Sequence, residues 1–391
     1  MPSTDTPKRF AALDGLRGLA ALAVVFCHVL SSSPTYNPLT GATTLAHTDR
    51  SLRYWLVASP LHLLWNGSLA VILFFVLSGF VLTLPLMRAL DDYTGRLPEK
   101  SWRSYYPRRL LRLYLPVAGA LLAAYALVLA WPRHRVASAS DWLNSFCSGI
   151  SPAHLLHDLA LLAGVGSLDP PLWSLRQEVV CSLLLPAFFL VARVKFVPLW
   201  TKLAGCVGFI LAASSLKPAD ESNSTLALSL TLLGAFGLGA LLASDLRWKE
   251  RLSSWSAPKK LGLLLVSVLA ANSYWTALAL GVHSSLLLAM GYTASLVGGA
   301  GLIVSVLVSA RLSKQLCSKA VSWLGARSFS LYLSHLPVLI ALALAIGPRR
   351  TWLLFLASLP VLFVVAELFY RVIERPSHRL SAAVGRRLSR P

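Results

Sequence analysis

Residues 63–87 and 286–310 each run for 25 residues without a charged side chain. A helix rises 1.5 Å per residue, so about 20 apolar residues cross a hydrocarbon layer of about 30 Å. Both stretches are long enough to span a bilayer, and little else accommodates them. Eight further apolar blocks have similar length, at 11–31, 110–131, 172–192, 198–216, 223–244, 261–280, 322–346 and 351–372. The sequence therefore predicts an all-α polytopic membrane protein of about ten transmembrane helices. Of the 391 residues 56% are hydrophobic and 13% charged, about half the charge of a soluble domain. That composition excludes a disordered chain, a disulfide scaffold, a coiled coil and an ordinary cytosolic enzyme. The block 159–168 is too short to cross and is expected to lie at the interface or to re-enter.

A formal net charge of +20 invites a nucleic-acid reading, since cations neutralise phosphates. The distribution of the cations explains the charge differently. With the N-terminus inside, 26 Lys and Arg fall in cytoplasmic segments or at the inner ends of the adjoining spans, 7 in outer segments, and the other three are Arg17, Arg176 and Arg327 within spans. This is the positive-inside bias of a membrane protein, so both termini are expected in the cytoplasm and no nucleic-acid partner is needed. The five cysteines form no CxxC pair, and no metal site is expected. The first block follows only Lys8-Arg9 and lacks a small-residue cleavage site, so it reads as a retained span. Residues 1–380 read as one membrane domain and 381–391 as a basic cytoplasmic tail, with no appended soluble domain. Asn223-Ser224-Thr225 would accept a glycan only in a eukaryotic secretory route; a bacterial inner membrane is the expected location.

Charge inside a span is costly and marks a buried pair or a functional site. The first span carries Asp14, Arg17 and His28. Arg17 and His28 are eleven residues apart, about three turns and about 16 Å along one face. The second span holds Ser78 and Gly79 within FFVLSGFVLTLP, where packing of helices is an equally direct explanation. The fourth opens on Trp173, Ser174, Arg176, Gln177 and Glu178, two charges entering one apolar helix within a turn. The ninth carries Arg327, Ser328, Ser330, Tyr332 and His335, of which Ser328, Tyr332 and His335 follow one stripe. With the topology above, His28 and Glu178 lie in the outer half of the membrane and His335 near its middle. Arg17, Arg327 and the run Arg103, Arg108, Arg109, Arg112 lie at the inner mouth. A basic inner mouth with acid and base groups deeper suits a phosphate-rich donor such as coenzyme A.

These residues resemble the acyltransferase 3 family, the O-antigen acetylase-like membrane acyltransferases. The likeness rests on several local patterns in order along nearly the whole chain. Arg-x10-His appears as Arg17 to His28, FFxLSGF as Phe74 to Phe80, and R-x-x-R as Arg109 and Arg112. W-S-L-x-x-E appears as Trp173 to Glu178, L-Y-L-x-H as Leu331 to His335, and E-R-P as Glu374 to Pro376. The chain departs from the family where Val179-Val180-Cys181 follow the acid and where Ser334 precedes the histidine; both changes bear on the acceptor side.

The resemblance implies acyl transfer, usually of acetyl, from acyl-CoA as donor substrate to a hydroxyl, with no bound cofactor. Acceptors in such a family are commonly carbohydrates of surface glycans and sometimes macrolide-type small molecules. On this reading His28 is the general base or a transient acyl carrier, and Glu178 orients or charge-balances its ring or binds acceptor hydroxyls. Arg17, Arg109, Arg112 and Arg327 hold the donor's phosphates. Asp14, Ser78, Gly79, Trp173, Ser174, Arg176, Tyr332 and His335 line or support the cavity. The same intramembrane groups also suit a proton-coupled transporter, although the chain has no repeated halves of the kind such proteins often show.

Overall fold

The computed structural model describes residues 8–37, 52–57, 59–92, 99–147, 149–161, 167–216 and 225–388. Asn223 and Ser224, residues 162–166 of the short apolar block and the last residues of the basic tail lie outside the described residues. Every described element is helical. In chain order the longer ones are α1 (Lys8–Ser32), α2 (Gly67–Asp92), α3 (Glu99–Ala130), α4 (Leu172–Leu183) and α5 (Leu185–Arg193). There follow α6 (Leu199–Ser215), α7 (Thr225–Ser244), α8 (Ala257–Ala271), α9 (Ser273–Ala279) and α10 (Ser285–Val308). The chain ends with α11 (Ser328–Ile346), α12 (Thr351–Phe369) and α13 (Arg375–Leu388).

Seven helices among the described residues are long and apolar enough to cross a membrane, and nine if each bent pair counts as one span. The bent pairs are α4 with α5 and α8 with α9, the second turning by 48° at Asn272. Helix α6, at 17 residues, falls short of that length. Seven to nine spans thus stand against the ten expected from hydropathy, with α6 at the remaining expected position but short of the length. Two boundaries differ. The ninth block breaks at Arg327 between Lys319–Ala326 and α11. The last block continues through a π turn at Tyr370–Glu374 into α13.

The chain divides into two compact units. The first comprises Met1–Ala20, Gly41–Arg96 and Leu184–Ala326; the second comprises Ala21–Thr40, Leu97–Leu183 and Arg327–Pro391. In the first unit α2 packs on α7, and α10 packs on α8. The approach of α2 to α7 is reciprocal: a Cβ on Gly79 would strike the carbonyl of Phe236, and one on Gly239 the carbonyl of Val76. Glycine at both crossings brings the two backbones together, the usual device for helix association in lipid. Gly15 and Gly18 of the first span likewise lie against the backbone of Leu316, Leu324 and Gly325.

The second unit is built around α3, which packs on α11 and α13. Its core joins Leu113, Val117, Leu121 and Ala124 of α3 with Leu172, Leu175 and Val179 of α4, Leu333 of α11 and Phe369 of α12. These side chains repeat at helical spacing, so α3 and α4 each turn one apolar face inward.

Gly79→Ala is expected to lower stability by about 1–3 kcal/mol, because backbone atoms cannot yield to the added methyl. Gly262→Ala, where nothing lies within 4 Å, leaves it unchanged or slightly higher. Thermal unfolding in detergent, followed by tryptophan fluorescence, compares the two.

Candidate active site

His28 and His335 meet inside the second unit. Nδ1 of His28 lies 2.8 Å from Nε2 of His335, and the rings stack with centroids 5.1 Å apart and 10° between planes. The outer nitrogen of His335, Nδ1, faces the carbonyls of Tyr332 at 2.7 Å and Leu331 at 3.2 Å. A carbonyl oxygen only accepts, so Nδ1 of neutral His335 carries the hydrogen and its Nε2 is the acceptor. His28 then donates from Nδ1, and its Nε2 is left with a bare lone pair. His335 is 0% exposed while His28 is only half-buried. Of the pair, His28 is the one a substrate can reach.

Two further groups frame this pair. Tyr332, one turn before His335, lies with its hydroxyl 2.6 Å from Ser174 Oγ, and both hydroxyls are within reach of the Pro171 carbonyl. Above α1, the outer segment is tied down by Ser140, whose hydroxyl donates to the carbonyl of Ser31 at 2.6 Å. That anchor brings Trp142 to 5.1 Å from the His28 ring. Nothing in the sequence distinguished Trp142 from the other tryptophans, because its role follows from the path of a loop.

Glu178 makes a contact that the sequence did not assign to it. His28 meets His335 and Trp142, whereas Glu178 Oε1 accepts from Arg109 at 2.5 Å. Arg109 also donates from Nε to Ser182 Oγ at 3.0 Å. Ser174, Glu178 and Ser182 recur every fourth residue and form one polar stripe on α4. Glu178 thus holds Arg109, and the ring that His28 bonds to is His335. Arg327 is similarly engaged: it holds Glu367 through Nε at 2.7 Å and a terminal nitrogen at 3.3 Å, and stacks over Tyr370 at 4.6 Å. Of the four arginines assigned to the donor, Arg109 and Arg327 thus already hold a carboxylate by hydrogen bonds, and Arg17 is in a longer ion pair with Asp14.

The other expected residues are spread over both units. In the first unit Arg17 lies 3.6 Å from Asp14, with side chains 35% and 54% exposed; Gly79 lies on the α2 face that meets α7 and Ser78 beside it is half-buried. In the second, Arg112 is exposed, Trp173 half-buried and Ser174 buried. Arg176 is half-buried and makes no ion pair or hydrogen bond among the described residues.

Sequence reasoning passed over Glu367 and Asp169 and gave Glu374 only as part of a motif. Glu367 stands inside the last apolar helix, where an isolated charge is itself a signal. Glu374, 3% exposed in the π turn, accepts from the Ser330 hydroxyl. Asp169, just before α4, is 0% exposed, and neither carboxyl oxygen has a hydrogen-bond partner among the described residues. Nearby Arg133 instead donates to the carbonyls of Ser167 and Leu168 at 3.3 and 2.7 Å. Burial pushes the Asp169 carboxyl well above its usual range, against the pull of Arg133 and with help from Asp158.

A membrane-embedded helical protein with a buried imidazole pair, one ring accessible and the other fully enclosed, has the elements of a group-transfer site. The family model for an acyltransferase domain matches residues 10–371, and the chain belongs to the acyltransferase 3 family. It is 27% identical to acyltransferase MdmB of Streptomyces mycarofaciens, covering 97% of this chain and 93% of that protein. It is 26% identical to the putative peptidoglycan O-acetyltransferase YrhL of Bacillus subtilis, covering 95% of this chain and 55% of that one. Identity to the peptidoglycan O-acetyltransferase OatA of Listeria monocytogenes is 25%, over 94% and 56% respectively. No solved structure matches the chain significantly. The protein is a membrane acyltransferase with an acyl donor and a hydroxyl acceptor, crossing the bacterial plasma membrane several times.

Removing either member of the Arg109–Glu178 pair, whose side chains are 12% and 22% exposed, takes the ionic partner from the other. Glu178→Gln and Arg109→Gln are each expected to cost about 3–5 kcal/mol, and the double variant less than their sum. Thermal unfolding of the four proteins measures that coupling. Asp169 gives a pH signature of unusual sign. Its carboxyl is raised in the fold, so the unfolded chain releases a proton the folded chain retains, and stability falls as pH rises above about 4. Asp169→Asn should raise the thermal midpoint at pH 7, with the gain vanishing near pH 4. A gain that persisted at pH 4 would contradict a protonated carboxyl.

Proposed function

We propose that the protein O-acylates a carbohydrate hydroxyl, moving an acyl group, most simply acetyl, from acyl-CoA. The observation that carries this reading is the His28–His335 pair with its fixed tautomers. Nε2 of His28 takes the proton of the acceptor hydroxyl as its oxygen attacks the thioester carbonyl. The new C–O bond forms, the C–S bond breaks, and the thiolate leaves with the proton His28 had accepted. The positive charge on His28 is shared through Nδ1 with His335, whose own Nδ1–H is held by two carbonyls. Fixing a neutral base beside a buried partner is how a histidine is kept ready near neutral pH.

Arg112 of the second unit is exposed and is assigned to the donor's phosphates. Arg109 and Arg327 contribute there mainly by holding Glu178 and Glu367. Arg176, half-buried next to Trp173, is assigned to the acceptor. The Tyr332 hydroxyl is engaged with Ser174 and Pro171, which makes it a support for α4 and α11.

Purified protein in detergent, given labelled acetyl-CoA with either a cell-envelope glycan or a small hydroxylated acceptor, tests the reading. Label is expected to enter the glycan, and His28→Ala should reduce transfer at least about a hundredfold. Undiminished transfer by His28→Ala removes this mechanism. Label entering only the small acceptor replaces the carbohydrate.

A further inference from the structure

We propose that the first unit carries a binding site for the phosphate headgroup of an anionic phospholipid, separate from the groups assigned to acyl transfer. A cavity of about 620 Å³ opens where the C-terminal ends of α2, α5 and α7 meet the start of α6. Its charged lining is Arg88, Arg193, Lys195, Lys202 and Arg247, with Asp245 the one acid. Arg247 grips Asp245 through Nε at 2.9–3.0 Å and a terminal nitrogen at 2.6 Å, and this contact holds the Asp245 carboxyl below the usual carboxylate range. The lone acid is thereby neutralised, and the cavity keeps a positive excess.

The shape of the site is held by one of its own cations. Lys202 donates from Nζ to the carbonyls of Ala192 at 2.9 Å and Val194 at 2.5 Å. It thereby folds the 194–198 link over the end of α5 and leaves Arg193 and Lys195 exposed beside the opening. Such geometry fits a compact phosphate with several oxygens to share, since each cation contributes separate donors.

Phosphate could arrive on a soluble nucleotide or on a lipid, and the surroundings favour lipid. Phe196, within the link, is 88% exposed, and Trp200, on the first turn of α6, is 72% exposed. Large aromatic side chains at the end of membrane helices lie at headgroup depth. Leu190 and Val191, just before Arg193, are 54% and 55% exposed, giving the acyl chains an apolar wall directly below the phosphate. The positive-inside bias assigns this end to the cytoplasmic leaflet, where basic pockets between helices meet anionic lipid. A zwitterionic lipid would bring its own cation and lose the match.

The full chain in nanodiscs of phosphatidylcholine, alone or with phosphatidylglycerol, tests the proposal by native mass spectrometry and thermal unfolding. Phosphatidylglycerol should be retained and raise the thermal midpoint. The R193Q/K195Q variant should weaken retention about tenfold and lose the shift, while R193K/K195R keeps both. Equal retention by wild type and R193Q/K195Q overturns the site. So does loss of lipid on adding ADP together with a raised KM for acyl-CoA in R193Q/K195Q, which would assign the cavity to a soluble nucleotide. A midpoint shift that persists with unchanged acyl transfer in His28→Ala leaves the lipid site standing while removing the proposed mechanism.

Discussion

Hydrocarbon offers no water to a charged side chain, so an intramembrane charge is costly unless a partner within the protein meets it. That constraint arranges the second unit. Arg109 closes on Glu178, Arg327 on Glu367, and Ser330 on Glu374. Each contact joins different helices: α3 to α4, the start of α11 to α12, and α11 to the π turn after α12. The polar residues that look functional in the sequence are therefore also what fixes how these helices stand against one another. Glu178 holds Arg109, while the two histidine rings bond to one another.

The bond between the rings gives the pair its chemical direction. Backbone carbonyls at the turn before His335 dictate which of its nitrogens carries hydrogen, and the 2.8 Å contact passes that choice to His28. Because one ring is fully enclosed and the other half-buried, the lone pair that results belongs to the accessible ring. Asp169 and Trp142 show that the outer segments contribute to this region too, one through a buried carboxyl with no hydrogen-bond partner among the described residues and the other through a ring against His28.

Close packing takes a second set of residues that the sequence presents as motifs. The FFVLSGF segment owes its glycine to the crossing of α2 and α7, and the two glycines of LDGLRG approach the backbone at 316–325. Lipid supplies no hydrophobic drive between helices, so close van der Waals contact between backbones has to hold them. The basic cavity of the first unit forms where such packed helices end, and its cations come from three separate stretches of chain.

The amino-acid order alone determined the membrane class, because the length of an uncharged block is set by bilayer thickness and needs no tertiary information. It also marked His28, His335, Arg109, Glu178 and Arg327 as residues with a purpose, because charge in an apolar helix is costly wherever it stands. It could not assign partners. The bond between His28 and His335 joins residues 307 positions apart, and Arg109 to Glu178 spans 69, separations at which helical periodicity carries no information. Helix bends at Leu184 and Asn272, the break at Arg327 and the role of Trp142 depend on neighbouring elements, so only the folded chain decided them.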